Sequence, residues 1–286
     1  GIIAATLLAS VLGFVDDLGK IGTAGKFVGQ AIVGIIPVAC GLTIQSLEFP
    51  FLGILILPEF VGWILTWLWI VLLMNVVNFM DGINGLSGRF MEVFGIAMIV
   101  IAINTSWRLE IAWVGAIILG ASAGFLPYNL GQAKTFMGDC GSQALGALFA
   151  CVVLLLHNNN IQTNPINPET GEFLRDSMIT GFLVCFPLIF DVIYTIIKRM
   201  KQGENILKAH RQHLYQRYLI AQGEDHKATL DFVSNFFYLA CICAIIYNRL
   251  ELGHDAFRLL VIVVVIVAMI FQVIRVHKTE NLSGNM

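Results

Sequence analysis

VGWILTWLWIVLLMNVVNFMDGINGLSG, residues 61–88, decides how the rest of the chain is read. Val61 to Phe79 is a nearly unbroken apolar run, close to the 20 or so residues a helix needs to cross a bilayer. Asn75 and Asn78 break it near its end, three residues apart and so on one helix face. Asp81-Gly82 and Asn84-Gly85 then read as a helix end turning into a loop. Amides and a carboxylate at membrane depth are costly and mark function. A polar helix terminus with a glycine cap would account for Gly82 and Gly85, but not for Asn75 and Asn78.

The remaining sequence repeats the apolar half of that pattern. Of 286 residues, 57% are hydrophobic and only 13% charged, against about 25% charged in a soluble domain. With a mean hydropathy of +0.80, this excludes disorder and argues against a water-soluble fold. The net charge of -2 shows no basic excess of the kind that nucleic acid attracts. Six cysteines are too few for a disulfide scaffold. Cys40, Cys151, Cys185, Cys241 and Cys243 lie in apolar runs and read as small core residues.

Nine apolar runs qualify as spans: Ile2–Val15, Ala24–Ile44, Val61–Phe79, Phe90–Ile103, Ile111–Tyr128, Ser142–Leu156, Met178–Ile197, Phe232–Tyr247 and Ala256–Ile274. The expected fold is all-α, a polytopic integral membrane helix bundle forming one domain over residues 1–286. The chain begins at Gly1 inside an apolar run, which reads as a piece lacking its N-terminus. The short apolar loop Leu47 to Pro58 reads as an interfacial segment. The longest polar loops are His157–Arg175 and the basic loop 198–230. Alternating spans place thirteen of the seventeen lysines and arginines on one side, which the positive-inside rule makes cytoplasmic. Trp63, Trp67, Trp69, Trp107 and Trp113 suit an aromatic belt. His157, His226, His254 and His277 read as surface histidines.

Four polar segments from separate spans face that cytoplasmic side: Asp16-Asp17, Asn75–Asn84, Asn129–Ser142 and Lys198–Arg217. Together they suggest one composite site at the membrane surface. Two adjacent carboxylates repel unless a cation or lysine balances them, and Lys20 and Lys26 are near in sequence. In FMGDCGSQALG, residues 136–146, Asp139 could hold a divalent cation beside helix N-terminal N–H groups that attract anions, or could simply cap the following helix. In KAHRQHLYQR, residues 208–217, His210, Arg211 and His213 form a patch suited to phosphate oxygens. Asp191, inside a span, is open to a functional or a structural role. Acids and amides without a Cys/His quartet favour a hard cation such as Mg2+. Hard cation, basic patch and helix N-terminus together imply phosphate chemistry.

At these segments the sequence resembles the polyprenyl-phosphate N-acetylhexosamine-1-phosphate transferase family. The matches are GFVDD at 13–17, NVVNFMDGINGL at 75–86, FMGDCGS at 136–142 and FPLIFDVIYTIIKRMKQGENILKAHRQH at 186–213, in that order. Family members have ten or eleven helices, and eleven would fit if two precede Gly1. The resemblance implies transfer of sugar-1-phosphate from a UDP-N-acetylhexosamine to undecaprenyl phosphate, giving the lipid-pyrophosphate sugar and UMP, on the cytoplasmic face of a bacterial inner membrane. It implies Mg2+, with Mn2+ as a substitute. By the same resemblance Asp139 and Asn78 are metal ligands. Asp16, Asp17 and Asp81 match catalytic positions. Lys26 is similar to a pyrophosphate-contacting lysine, Phe136 to an aromatic on uracil, and Asn84 to a uracil-bonding residue. Asn129, His210, Arg211 and His213 match further substrate positions.

Many bacterial GlcNAc-1-phosphate transferases carry His-Leu-His-His where this chain has His213-Leu214-Tyr215-Gln216, and the muramoyl-pentapeptide transferases carry three consecutive histidines absent here. HRQHLYQR is similar instead to a subgroup that initiates O-antigen or exopolysaccharide chains. The alternatives are the same chemistry for teichoic acid or enterobacterial common antigen, an ion-coupled transporter using the aspartates as a relay, and an inactive scaffold. Transporters place such charges near the midplane, often in internal repeats. Here most of them sit at cytoplasmic span ends and no repeat is visible. Homodimers occur in the family.

Overall fold

The computed structural model describes residues 1–103, 109–163, 177–205, 208, 210–250 and 254–283. Apolar runs of membrane length satisfy their backbone groups within themselves by forming helices, since a bilayer offers no other partner. The nine expected spans appear in order as α1 (Ile2–Asp17), α2 (Thr23–Ala39), α3 (Glu59–Met80), α4 (Leu86–Ile103), α5 (Leu109–Asn129), α6 (Gly138–Thr163), α7 (Ser177–Lys201), α9 (His226–Arg249) and α10 (Asp255–Ser283). A tenth, short helix, α8 (Leu214–Ala221), lies within the basic loop. Among the described residues seven helices, α3 to α7, α9 and α10, are long and apolar enough to cross a membrane. The protein is a polytopic all-α membrane protein.

Several boundaries differ from expectation: α6 and α10 run on to Thr163 and Ser283, and α9 begins earlier, at His226. The second run was expected to continue to Ile44, but α2 ends at Ala39, because Gly41 takes φ +84° and the Leu42 N–H turns back to the Pro37 carbonyl. The apolar loop after it is a small antiparallel hairpin, β1 (Ser46–Phe49) against β2 (Gly53–Ile56).

Successive long helices run up and down, so the ends of α1, α3 and α5 meet the starts of α2, α4, α6 and α9 at one end of the bundle. The hairpin lies at the other. There Glu48 of β1, buried, pairs with buried Arg258 of α10, whose guanidinium lies 4.6 Å from the centre of the Tyr247 ring of α9. His157, expected at the surface, is instead fully buried under this end and lies 3.3 Å from the Gln45 amide nitrogen.

α6 is the hub, packed along α1 and α3 and also on α7. Phe90, Phe94, Phe149 and Phe237 cluster in the core, with ring centres 4.4–6.1 Å apart. Trp69 belongs to this interior and not to a belt: it is buried and donates from Nε1 to the Ala150 carbonyl at 3.3 Å. Trp63 and Trp113 are exposed, as expected of belt residues, while Trp107 lies outside the described residues. Cys151, Cys185, Cys241 and Cys243 are buried as expected, but Cys40, placed at the α2 terminus by the early end of that helix, is exposed.

Candidate active site

The four polar segments meet at one end of the bundle. Asp16 and Asp17 are the last residues of α1, Lys26 lies in the first turns of α2, Asn78 in the last turn of α3, and Asp139 in the first turn of α6. The ammonium of Lys26 lies 2.7 Å from Asp16 Oδ2, bonds Asp139 Oδ2, and donates to Asn78 Oδ1 at 3.1 Å. Asn78 in turn donates from Nδ2 to Asp139 Oδ1 at 2.7 Å and to Ser142 Oγ at 2.9 Å. Two carboxylates and an amide carbonyl thus converge on one positive charge. The balancing lysine is Lys26; Lys20 is exposed.

The adjacent aspartates have different surroundings. Asp17 takes no part in that cluster. Its two oxygens accept from the backbone N–H groups of Asp139 and Cys140, each at 2.9 Å. A carboxylate at a helix N-terminus satisfies donors that have no intrahelical partner and complements the helix dipole. Asp17 therefore caps α6 from another helix, and Asp139 is not the cap. Two glycines permit this. Gly138 adopts φ +63°, and a Cβ there would lie 2.8 Å from Asp17 Oδ2. Gly13 lets α1 lie directly on the first turn of α6, where a Cβ would stand 2.0 Å from the Asp139 carbonyl oxygen. The N–H groups of Asp139 and Cys140, expected to attract an anion, are already taken.

Beside the cluster is a pocket of about 220 Å³ lined by Asn78, Asp81, Asn84, Asn129, Phe136 and Asp139, among others. Asp81 sits just after α3, where burial, with the negative charges of Asp139 and Asp17, pushes its carboxyl up to about 6. Phe136 stands at the rim, 72% exposed. Asn129 is buried and braces two loops: its Oδ1 accepts from the Gly85 N–H at 2.7 Å and its Nδ2 donates to the Thr135 carbonyl at 2.8 Å. Asn84 donates to the Gly131 carbonyl at 2.7 Å, and its own backbone nitrogen lies 3.3 Å from His226 Nδ1. His226, expected at the surface, thus adjoins the site. It opens a helix 142 residues beyond Asn84, and nothing local in the sequence signals that.

The basic loop divides. Arg211 is exposed, with its guanidinium 3.2 Å from both Glu224 oxygens. His210 is part-buried, and burial with the neighbouring His213 and Arg199 charges holds its ring below the usual histidine range. His213 turns inward: it is buried, with Nδ1 3.2 Å from Asp191 Oδ1. Asp191, fully buried, also accepts from the backbone N–H groups of Leu214 at 2.8 Å and Tyr215 at 3.2 Å and from Thr195 Oγ1 at 3.2 Å. These contacts fix the start of α8 to α7 and give Asp191 a structural role. The Tyr215 hydroxyl donates to the Phe79 carbonyl at 3.0 Å, tying the loop to the end of α3.

Oxygen donors gathered on a positive charge fit a hard cation, and Mg2+ is commonly held by one or two carboxylates with water and substrate phosphates completing its shell. The oxygens that would hold such an ion here are those of Asp139 and Asn78, with Asp16 nearby; among the described residues no three His, Cys, Asp or Glu side chains gather as a metal site.

The chain is 27% identical over 260 residues, 89% of its length and 67% of the other, to a probable undecaprenyl-phosphate N-acetylglucosaminyl 1-phosphate transferase of Bacillus subtilis (strain 168). It is 26% identical over 231 residues, 76% of its length and 55% of the other, to a decaprenyl-phosphate N-acetylglucosaminephosphotransferase of Mycobacterium tuberculosis (strain ATCC 25618 / H37Rv). It is 34% identical over 169 residues, 53% of its length and 51% of the other, to a phospho-N-acetylmuramoyl-pentapeptide-transferase of Staphylococcus haemolyticus (strain JCSC1435). The chain therefore spans between about half and two thirds of the length of these relatives. The family model described as glycosyl transferase family 4 matches residues 1–157, the stretch holding Asp16, Asp17, Lys26, Asn78, Asp81 and Asp139. With more than half its length matched and these side chains gathered at one end of the bundle, the chain belongs to glycosyl transferase family 4.

Proposed function

We propose that the protein transfers an N-acetylhexosamine-1-phosphate from a UDP-sugar to undecaprenyl phosphate. The products would be undecaprenyl-pyrophosphate-sugar and UMP, in the first membrane step of a bacterial surface polysaccharide such as O-antigen. The observation that carries this reading is the convergence of Asp16, Asp139 and Asn78 on Lys26, beside a pocket at the ends of the spans. The names of the relatives supply the class of substrate, and the lysine and arginine bias supports a cytoplasmic-facing site.

In the reaction an oxygen of the lipid phosphate attacks the donor phosphorus that bears the sugar. The bond from that phosphorus to the oxygen bridging the two donor phosphates breaks, and its electron pair leaves with UMP. One pyrophosphate link is exchanged for another, and the acceptor phosphate, largely ionised at neutral pH, needs little help from a base. Catalysis is then mainly positioning and charge neutralisation. Mg2+ held by Asp139 and Asn78 would offset charge on the phosphates when bound. Lys26, released from Asp139, would meet the donor diphosphate. Arg211 would leave Glu224 for the donor, and Phe136 would pack on the base. The pocket is smaller than the roughly 300–1,000 Å³ of typical ligand sites, so it holds only part of the donor, and the rest extends toward the basic loop.

The test is UMP release by the full-length protein in detergent with undecaprenyl phosphate, Mg2+ and a panel of UDP-N-acetylhexosamines. Release with one donor, abolished by EDTA, is the expected result and names the sugar. No release with any donor from folded protein would overturn the reading.

A further inference from the structure

One helical turn deeper in the bundle than the charged cluster lies a second polar layer that the chemistry above does not use. Gln30 of α2 and Gln143 of α6 are fully buried, and Asn75 of α3 is part-buried. Asn75 Nδ2 donates to Gln30 Oε1 at 2.8 Å, and Gln30 Nε2 donates to Gln143 Oε1 at 3.3 Å. Each member sits next to a member of the charged cluster on its own helix. Gln30 is four residues from Lys26, Gln143 four from Asp139 and Asn75 three from Asn78, spacings that place both on one helix face.

The packing shows why this matters. α3 lies along α6 over a broad interface, and α1 does the same, so the helices carrying Asn78 and Asp139 are packed directly on each other. α2 packs on α1 and α3 but barely touches α6. Among the described residues the hydrogen bonds joining α2 to α6 are Lys26 to Asp139 and Gln30 to Gln143. Direct packing between α2 and α6 therefore does little to set the position of Lys26 relative to Asp139. A buried amide pair in apolar surroundings is directional and costly to leave unmade.

We propose that Gln30, Asn75 and Gln143 form a positioning layer that sets the register of α2 against α6 and so holds Lys26 on Asp139. This deepens the reading of the charged cluster as the reacting centre and rests on it. None of the three touches the reacting atoms, and their effect passes through Lys26.

The experiment measures how fast the Lys26 amine is acylated by an N-hydroxysuccinimide ester in metal-free, detergent-solubilised protein, followed by peptide mass spectrometry. Exposed Lys20 serves as the internal reference. Gln30→Leu and Gln143→Leu keep the layer's bulk and are compatible with a membrane interior. Each is expected to raise Lys26 labelling at least threefold relative to Lys20. Gln143→Met, which keeps the unbranched chain and lacks the amide, should do the same. Thr180→Val, at a fully buried position of α7 outside the layer, controls for general loosening and is expected to leave the ratio unchanged. Unchanged Lys26 labelling in the layer variants, or an equal rise in Thr180→Val, would overturn the proposal. A Mn2+ titration by electron paramagnetic resonance separates the two readings. Wild-type protein that binds no Mn2+ would remove the cation site, while the labelling ratio still decides the layer.

Discussion

Asp16 and Asp17 are neighbours with separate work. Asp16 faces Lys26, while Asp17 is committed to the first turn of α6. Asp139 binds Lys26 through one carboxylate oxygen and Asn78 through the other. Asp139→Asn keeps its size but loses the charge, and we expect turnover to fall at least 100-fold while the protein still inserts and folds. Steady-state UMP release, with Mn2+ binding measured in parallel, checks this; turnover near wild type would remove Asp139 from the centre. Arg211 is exposed and paired only with Glu224 at the surface, a pair worth little in itself. On the proposed mechanism it exchanges that partner for a phosphate, so Arg211→Ala should raise the donor KM about 10-fold, the loss of one charge-assisted hydrogen bond, and leave the lipid KM unchanged. An unaltered donor KM would place the basic loop elsewhere.

Among the elements, α8 has only eight residues, too few to persist alone. It is held by Asp191, which accepts from two of its backbone N–H groups while also facing His213. Asp191→Ala leaves these buried groups without an acceptor and should cost about 3 kcal/mol or more. The loss should appear as faster amide exchange across Leu214–Ala221 together with a raised donor KM. Protection of α8 equal to wild type would contradict the anchoring role. The long helices were legible in the sequence, since each is built on a predominantly apolar run of about the length a bilayer requires. The exceptions have physical reasons. The end of α2 depends on one glycine in a left-handed conformation, which a hydrophobic count does not detect. The hairpin is apolar and too short to be told from an interfacial segment. Asp191 is plainly unusual in a span, but its partners at the start of α8 lie 22 to 24 residues away, beyond any local pattern. The four polar segments were each readable, and so was their common face; which group touches which was not. His213, matched to the donor contacts by resemblance, faces Asp191 in the structure.

For the molecule as a whole, the two ends of the bundle do different things. The end opposite the pocket is closed by Glu48 and Arg258, buried and paired across 210 residues of sequence. Removing one member takes the ion-pair partner from a buried charge, a change that typically costs about 3–5 kcal/mol, whereas an apolar pair of similar volume is often neutral. Glu48→Leu or Arg258→Met alone should therefore lower thermal stability in detergent markedly, the double variant should recover most of it, and UMP release at permissive temperature should hold near wild type. Additive losses in the double variant would show that the pair is not coupled.

At the other end, Asp17 occupies the first N–H groups of α6, and Lys26 is already held by Asp16 and Asp139. The groups of this cluster that would attract an anion have internal partners, so an arriving phosphate meets no vacant positive charge there. Binding there is a replacement reaction among ion pairs, and its free energy is a difference between two sets of contacts of similar kind. Such an exchange releases little net charge to solvent, so affinity for the anionic donor should vary only weakly with salt concentration, unlike that of a protein presenting an open basic surface.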